Sequence, residues 1–325
     1  MLLGRYGIAT SRARFSAVVF VTFLIMVTVY SVSPRVAPLP ASHLATLQVQ
    51  EVVGIDGCTA GSWTSTETQS IWDSYIPQNS YSPRTIAGYI GGPSMGSCDV
   101  ISSTWATNIS SNVPGGWGVV PIWVGAQAPY PACTSISYSD QINPSNAVNQ
   151  GVTDGGNAAA AAEAAGFSDV LFDDMEGYNY TASDNSTPCG QIVTSYLNGW
   201  VAGMEAAGFS ITGVYGSAGS TIQGLAYYAG ASGMHEPSYI WAAEWTHESL
   251  WNLGYSIPNG DWINDQRDVQ YGHNYNTGTP YNLTYDADCI DAGASNGVAE
   301  STWDYGSSSD GGGSEGNSVS ADTLC

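Results

Sequence analysis

Two carboxyl groups in the segment 172–176, which reads Phe-Asp-Asp-Met-Glu, are spaced to act together. The apolar residues before them predict a strand, and residues i and i+2 of a strand project from the same face. Asp174 and Glu176 are therefore expected side by side, next to Phe172, whereas Asp173 faces the opposite layer and is expected to be structural. Two acids near an apolar wall repel each other, so one pKa should rise, giving a proton donor and an anion at the same pH. Cleavage of a glycosidic bond requires such a pair.

Three further acids occupy corresponding positions in other predicted strands. Asp56 ends the first strand, and Asp286 and Asp288 end the eighth. The first and last strands of a closed barrel are neighbours, and catalytic groups gather at the C-terminal ends of barrel strands. The sequence therefore predicts one carboxylate-lined mouth, with no metal and no cofactor. The alternatives are a solvated strand end at Asp174 and Glu176, ordinary turn residues elsewhere, or a cluster that binds a cation such as Ca²⁺.

Aromatic residues that carry a polar atom outnumber phenylalanine, since the chain has 11 Trp and 20 Tyr but 6 Phe. Such rings stack on sugars and still form hydrogen bonds, although most large rings are expected in the core. The candidates at strand ends or in the loops after them are Tyr89, Trp123, Tyr130, Tyr178, Tyr215, Trp241, Trp245 and Tyr271.

Eight β-rich runs and five helical segments must position these residues. The predicted strands are Val52–Cys58, Thr85–Gly91, Gly118–Gly125, Asp169–Tyr178, Ile211–Ser217, Tyr239–Trp245, Asp268–Tyr271 and Leu283–Ile290, and the predicted helices are Thr68–Tyr75, Val100–Ser110, Ala147–Ala165, Ile192–Ala207 and Thr221–Ala229. This alternation indicates an α/β fold with a parallel sheet, and residues 50–295 have the size of a (β/α)8 TIM barrel. The later connections are short of helix, so we expect an irregular barrel with fewer than eight outer helices. A doubly wound open sheet is the alternative, although no G-x-G-x-x-G sequence follows the first strand.

Residues 1–45 have the parts of a signal peptide. Arg5, Arg12 and Arg14 precede an apolar run over residues 15–32, and a Pro/Ala/Ser stretch follows. The run is also just long enough for an uncleaved membrane anchor, which is the alternative. In either case we expect a secreted or cell-envelope protein. Residues 296–325 form a Gly/Ser-rich acidic tail, which is typical of a flexible segment.

The charge of the chain excludes several partners. Lys+Arg total 6 against Asp+Glu 28, which gives a net charge of −22, and there is no lysine. Such a surface has no electrostatic footprint for nucleic acid or anionic lipid, and it favours neutral or cationic partners. We expect a monomer that binds a polysaccharide or a peptidoglycan-like glycan, with no nucleic acid and no membrane contact beyond the N-terminal segment.

The cysteines indicate an oxidising compartment. An even number in an exported chain predicts three disulfides, with free buried thiols as the alternative. The sequence alone does not fix the pairing. The six residues are Cys58, Cys98, Cys133, Cys189, Cys289 and Cys325.

A serine hydrolase is disfavoured. The segment 92–96 fits the pattern G-x-S-x-G, and His273 is a conceivable base. However, Pro93 suits a rigid turn better than a strained nucleophile elbow.

Nine short motifs span nearly all of residues 52–291. They are Gly54–Ala60, Gly88–Pro93, Val120–Gly125, Gln150–Gly151, Asp174–Glu176, Gly213–Tyr215, Ile240–Trp245, Val269–Tyr271 and Asp286–Asp288. In this order they resemble the glycoside-hydrolase-like domain of unknown function 1906, a family typified by an exported mycobacterial cell-envelope protein. That family is similar to the TIM-barrel family-25 muramidases, which cut the glycan chains of peptidoglycan.

The resemblance implies catalytic roles for Asp56, Asp174, Glu176 and Asp286, with Glu176 as the general acid and Asp174 orienting or stabilising the sugar cation. It also implies the bridges Cys58–Cys98 and Cys133–Cys189, which leaves Cys289 with Cys325. Together with the aromatic candidates, the predicted substrate contacts are Asp288, Tyr89, Trp123, Tyr178, Tyr215, Trp245, Gln270 and Tyr271.

Two positions depart from the family pattern. Asp173 replaces the aromatic or aliphatic residue expected before Asp174, and Glu244 stands where similar sequences tend to carry Arg or Gln. The first hypothesis is thus an exported, muramidase-like glycoside hydrolase. The second is a non-catalytic carbohydrate-binding or cell-envelope protein that keeps the barrel.

Overall fold

A computed structural model describes residues 51–73, 83–113, 116–244 and 267–291, together with Ile257 and Trp262. The predicted signal peptide or anchor (1–45) and the predicted tail (296–325) lie outside these described residues. Within the described ranges, no helix is long and apolar enough to cross a membrane.

Eight strands close into a barrel in the order of the chain. They are β1 (Glu51–Asp56), β2 (Thr85–Gly91), β3 (Gly118–Trp123), β4 (Val170–Met175), β5 (Ile211–Ser217), β6 (Tyr239–Ala243), β7 (Arg267–Asn276) and β8 (Thr284–Asp291). Closure confirms the predicted barrel and rules out the open doubly wound sheet. The fourth strand ends at Met175 rather than at Tyr178 as predicted, so Glu176 is the first residue beyond it.

The last strand runs opposite to the others. β1 to β7 pair in parallel, whereas β8 pairs antiparallel with both β7 and β1. Asp286 and Asp288 therefore lie near the beginning of β8, not at its end as predicted. Because the strand is reversed, this beginning still reaches the mouth, where Asp286 is paired with Asp56.

Helices follow the first five strands. They are α1 (Ser65–Trp72), α2 (Ser103–Ser110), α3 (Ala147–Ala165), α4 (Cys189–Ala206) and α5 (Gln223–Tyr228). Among the described residues no helix follows β6 or β7, which agrees with the predicted irregular barrel. α1 begins earlier than predicted because Thr64 and Glu67 form a capping box, in which each side chain binds the other's backbone N–H.

Two apolar layers follow from the two-residue period of the strands. The barrel interior contains Ala87, Val120, Ile122, Val170, Phe172, Trp241 and Ile290. Intervening strand residues, such as Ile55, Val119 and Leu171, belong to a larger layer between the barrel and the helices. Gly54 on β1 belongs to the barrel interior and must lack a side chain, because a Cβ there would lie 2.6 Å from Cδ1 of Ile290.

α3 and α4 pack with their backbones in direct contact. A Cβ at Gly151 would lie 2.0 Å from the carbonyl oxygen of Tyr196, and one at Gly199 would lie 2.1 Å from that of Val148. This close approach places Asp154 of α3 and Tyr196 of α4 directly behind the loop that leaves β3.

Two disulfides tie the loops at the mouth. Cys58 is bonded to Cys98 and Cys133 to Cys189, which confirms the two pairings that the resemblance implied. Cys289 is also disulfide-bonded, and Cys325 lies outside the described residues.

Candidate active site

Carboxyl groups from three strands meet at the mouth of the barrel. The phenol of Tyr89 has its pKa raised by burial and then by the charges of Asp174, Asp56, Glu176 and Asp286. Asp56 and Asp286 are paired across β1 and β8 and both accept from Gln270, and Asp174 and Glu176 lie two residues apart at the end of β4. The structure therefore brings together the four acids to which catalytic roles were predicted.

Gln270 connects the strands of this cluster. Its Nε2 donates to Oδ2 of Asp56 and, at 3.5 Å, to Oδ2 of Asp286, while its Oε1 accepts from the hydroxyl of Tyr215 at 2.7 Å. The amide is 2 % exposed. Its neutral group joins two carboxyl groups without adding charge, so it fixes their positions, and its hydrogen bond lowers the pKa of Asp56 against the effect of burial.

Asp56 and Asp288 are two buried acids of the same cluster. Burial, and then the charge of Asp286, raises the pKa of Asp56 to about 7, against lowering by the hydrogen bond from Gln270. Burial raises the pKa of Asp288 well above its usual range, and the charge of Asp56 raises it further. Because Asp288 is fully buried, its carboxyl group does not meet a ligand at the mouth.

Asp174 and Glu176 differ mainly in their access to water. Asp174 is 3 % exposed, and burial, followed by the charges of Glu176 and Asp56, raises its pKa well above the usual range. Glu176 is exposed, although partial desolvation still raises its pKa, against lowering by the N–H of Gly177. The better solvated acid ionises first. In the free protein the proton therefore stays longest on Asp174, whereas the resemblance implies a proton on Glu176.

Gln127 is a site residue that the sequence reasoning missed. Its Nε2 donates to the carbonyl oxygen of Asp174 at 2.7 Å, and its Oε1 accepts the N–H of Glu176 at 2.9 Å. The side chain thus continues the sheet pairing beyond the end of β4 and fixes the backbone between the two acids. An uncharged residue in a loop gives no signal of this role, since only the fold brings it to β4.

The loop that carries Gln127 is itself held by its neighbours. Gln127 donates its N–H to the carbonyl of Asp140 and accepts the N–H of Ile142. The hydroxyl of Ser94, in the loop after β2, donates to the same Asp140 carbonyl at 3.1 Å. Ser94 is therefore engaged structurally, in agreement with a rigid turn at Pro93.

Tyr138 was also missed. Burial, and then the charges of Glu176 and Asp174, raises the pKa of its phenol to about 12. The ring therefore lies close to the exposed acid, on the loop between β3 and α3. On the other side of the acid, Tyr178 donates its hydroxyl to the carbonyl of Ser220 at 3.4 Å.

The predicted aromatic contacts divide into two groups. Tyr89 and Tyr215 lie at the acid cluster, and Tyr178 lies beside Glu176. Trp123 does not lie at the acid cluster, because its indole is buried in the layer between the barrel and the helices and donates to Oδ2 of Asp154 at 3.3 Å. Tyr271 is also in the outer layer, because it alternates with the inward-facing Gln270. Trp245 lies outside the described residues.

Of the other aromatic candidates, Trp241 is part of the barrel interior, where it makes edge contacts with Phe172 and Tyr215. Tyr130 is 46 % exposed. Glu244, the other departure from the family pattern, is buried after β6, where its N–H donates to the carbonyl of Gln270 at 3.0 Å.

A second acid cluster lies on the outer face of β4. Asp173 is fully buried and faces the helix layer as predicted, next to Asp154 and Tyr196. Burial, and then the charge of Asp154, raises the pKa of Asp173 well above its usual range. Tyr196 donates to Asp154, and the N–H of Ala126 donates to Tyr196 at 3.1 Å. Within the described ranges, no group of three or more His, Cys, Asp or Glu is arranged to hold a metal ion.

Comparison with known families identifies the family of this chain. The model of a family described as Rv2525c-like, glycoside hydrolase-like domain matches residues 80–290. The chain belongs to this family. The resemblance drawn from the motif order is thereby confirmed. No curated protein matches the chain.

Solved structures with similar folds share little sequence with this glycoside hydrolase-like chain. An uncharacterized protein of B. stearothermophilus is 14% identical, with a TM-score of 0.45, and the match covers 75% of this chain and 97% of that one. The muramidase from Acremonium alcalophilum is 12% identical, with a TM-score of 0.41 and coverages of 74% and 93%. The catalytic domain of the endolysin ply40 from a bacteriophage of Listeria monocytogenes is 8% identical, with a TM-score of 0.41 and coverages of 75% and 95%.

Proposed function

We propose that the protein is an exported glycoside hydrolase that cleaves a cell-wall or similar polysaccharide, using Asp174 and Glu176 as its carboxyl pair. The observation that carries the proposal is that Asp174 and Glu176, at the end of β4, open onto the same mouth as Asp56 and Asp286, which are paired across β1 and β8 and joined by Gln270. Family membership supports the reaction class. The disulfides Cys58–Cys98 and Cys133–Cys189 support an oxidising, extracellular location.

In this proposal Asp174 and Glu176 hold one proton between them at the working pH. The apparent pKa values of such a pair belong to the pair rather than to either acid. Glu176, as the exposed member, gives the proton to the glycosidic oxygen, and the bond from that oxygen to the anomeric carbon breaks with its electrons moving to oxygen. The negative charge left on the pair stabilises the cation-like sugar. A water molecule then adds to the anomeric carbon, and its proton returns to the pair.

The remaining polar residues orient the sugar. Asp286 is partly exposed, and its Oδ1 accepts the N–H of Asn274 at 2.7 Å, which directs the carboxyl group toward the mouth. Tyr89 and Tyr215 contribute half-buried rings and hydroxyls, a combination suited to a sugar face. Asp56, bonded to Gln270, adds negative charge on the side of the barrel opposite β4.

The test compares Glu176→Gln with the wild type on purified peptidoglycan and on chitin, measuring the release of reducing ends. Loss of a general acid lowers the rate about 10²- to 10⁴-fold. Glu163→Gln, the same change at an exposed position of α3, is the control and keeps full activity. Because Glu176 must carry the proton, the wild-type rate falls as pH rises through the raised pKa of the pair. Equal rates for Glu176→Gln and the wild type would contradict the proposal.

One observation favours a non-catalytic alternative, a carbohydrate-binding protein that keeps the barrel. Asp174 and Asp56 are only 3 % and 7 % exposed, so they are less accessible than most reacting groups. Under this alternative the wild type binds glycan without releasing reducing ends, and Glu176→Gln leaves the affinity unchanged.

A further inference from the structure

A hollow with a volume of about 650 Å³ lies beside Glu176. Three segments at the mouth line it: residues 131–135 after β3, residues 177–179 after β4, and residue 217 at the end of β5 with residues 219 and 220 after it. Gly177 is the next residue after Glu176, and consecutive Cα atoms are about 3.8 Å apart. The lining of the hollow therefore includes the residue that directly follows the exposed acid.

The lining of this hollow is polar but carries no charged side chain. Hydroxyl groups come from Thr134, Ser135 and Ser217, and Asn179 adds an amide. Hydroxyls and amides without net charge match a neutral sugar better than an ion.

The hollow is held in shape by bonds between its loops. The disulfide from Cys133 fixes the first loop to the start of α4. The N–H of Asn179, in the second loop, donates to the carbonyl of Cys133 at 2.8 Å, and the N–H of Cys133 donates to that of Pro129 at 2.7 Å. A preformed hollow loses little conformational entropy when a ligand binds.

The positions of the strands separate the hollow from the acid cluster. β4 lies opposite β8 in an eight-stranded barrel, so Asp56 and Asp286 face Glu176 from across the mouth. The hollow adjoins the ends of β3, β4 and β5, from which the loops that line it extend. Glu176 therefore stands between a negatively charged region and a neutral one.

This asymmetry matches the two halves of a breaking glycosidic bond. Positive charge develops on one sugar and is stabilised by carboxylates, whereas the other sugar leaves as a neutral alcohol once it receives a proton. We infer that the hollow binds the leaving-group sugar, and that this sugar is uncharged. The assignment rests on the proposed hydrolytic function. The volume of the hollow lies within the range of about 300–1,000 Å³ that small-ligand sites occupy.

The test measures binding of chitotetraose, a neutral oligosaccharide of N-acetylglucosamine, by calorimetry. Ser135→Trp and Ser217→Trp each place a large ring in the hollow and are expected to weaken binding about tenfold or more through steric conflict. Ser183→Trp is the matched control, because this exposed serine belongs to a short antiparallel hairpin between β4 and α4, formed by Ser183–Asp184 and Thr187–Pro188, and does not line the hollow. It keeps the wild-type affinity. Circular dichroism checks that all three variants are folded.

Two results would overturn the inference: the folded hollow variants bind chitotetraose as tightly as Ser183→Trp, or the wild type does not bind it at all. A failure of the hydrolytic proposal gives a different pattern. Binding is then lost in Ser135→Trp and Ser217→Trp, yet the wild type releases no reducing ends, so the hollow holds a sugar without a reaction.

Discussion

The two faces of β4 carry two acids that are adjacent in sequence and opposite in situation. Asp174 projects into the barrel, next to the exposed Glu176, and Asp173 projects outward into a sealed contact with α3 and α4. Burial raises the pKa of both well above the usual range. A perturbed pKa therefore does not distinguish a reacting acid from a structural one. The difference is that the inner acid can pass its proton to a neighbour that meets solvent.

The largest effect expected from this comparison is on hydrolysis. Asp174→Asn keeps the size of the side chain, but its amide cannot take up or release a proton. We therefore expect the rate of glycan hydrolysis to fall about 10²- to 10⁴-fold. Asp173→Asn makes the same change one residue away and leaves the rate unchanged. Reducing-end assays on both variants provide the measurement. If both variants lose the same activity, the distinction between the two faces fails.

A smaller effect is expected at Gln127, which acts on the acids only through the backbone. Gln127→Met leaves the carbonyl of Asp174 and the N–H of Glu176 without their partners. Misplacement of Glu176 should lower kcat about 10- to 100-fold. Each unpaired group should also cost about 1–3 kcal/mol of stability.

A purely structural role for Gln127 would lower the melting temperature alone. A positioning role also shifts the pH at which Glu176 titrates. Carbon NMR of the Glu176 carboxyl group in wild type and Gln127→Met measures that shift. An unchanged titration midpoint in a folded variant would show that Gln127 does not position the acid.

The last effect concerns stability alone, which is expected to decrease gradually as pH rises. The folded pKa of Asp56 is raised to about 7, compared with about 3.9 for an unfolded Asp. The folded state thus binds more protons than the unfolded state between these values. The stabilisation that comes from this extra bound proton is fully present below about pH 4. It decreases as pH rises toward 7, by about 1.4 kcal/mol per pH unit for each such proton. Asp173, Asp174 and Asp288 act in the same direction.

Urea denaturation at several pH values, with disulfides intact, measures this dependence. Asp173→Asn removes one titrating group while keeping the packing, so its stability should fall less steeply with pH than that of the wild type. Stability that increases from pH 4 to pH 7 in the wild type would contradict the raised pKa values.

Much of the architecture is predictable because strand periodicity is local. The two-residue period places Asp174 with Phe172 and sends Asp173 to the other face, as observed. The same rule, applied consistently, would have excluded two wrong contacts. Trp123 follows the inward-facing Ile122, and Tyr271 follows the inward-facing Gln270, so both must point outward.

Other features depend on the assembled fold. A period-two pattern is the same in either chain direction, so the sequence of β8 gives no sign that the strand is reversed. Gln127 and Tyr138 belong to a loop of about twenty residues, and the contacts with β4 and Glu176 arise only when that loop folds over the mouth. Loops position such groups through tertiary contacts rather than through local pattern.

The reversal of β8 also determines where the barrel can be held. Glu51, at the start of β1, is paired with Asp291, at the end of β8, so the chain enters and leaves the barrel at one place, at the end remote from the carboxyl groups. Chemical attachment at either point therefore modifies the barrel at the end opposite the carboxyl groups. Because the two points are neighbours, a circular permutant joined there would keep every strand in register and could be opened at a loop of choice.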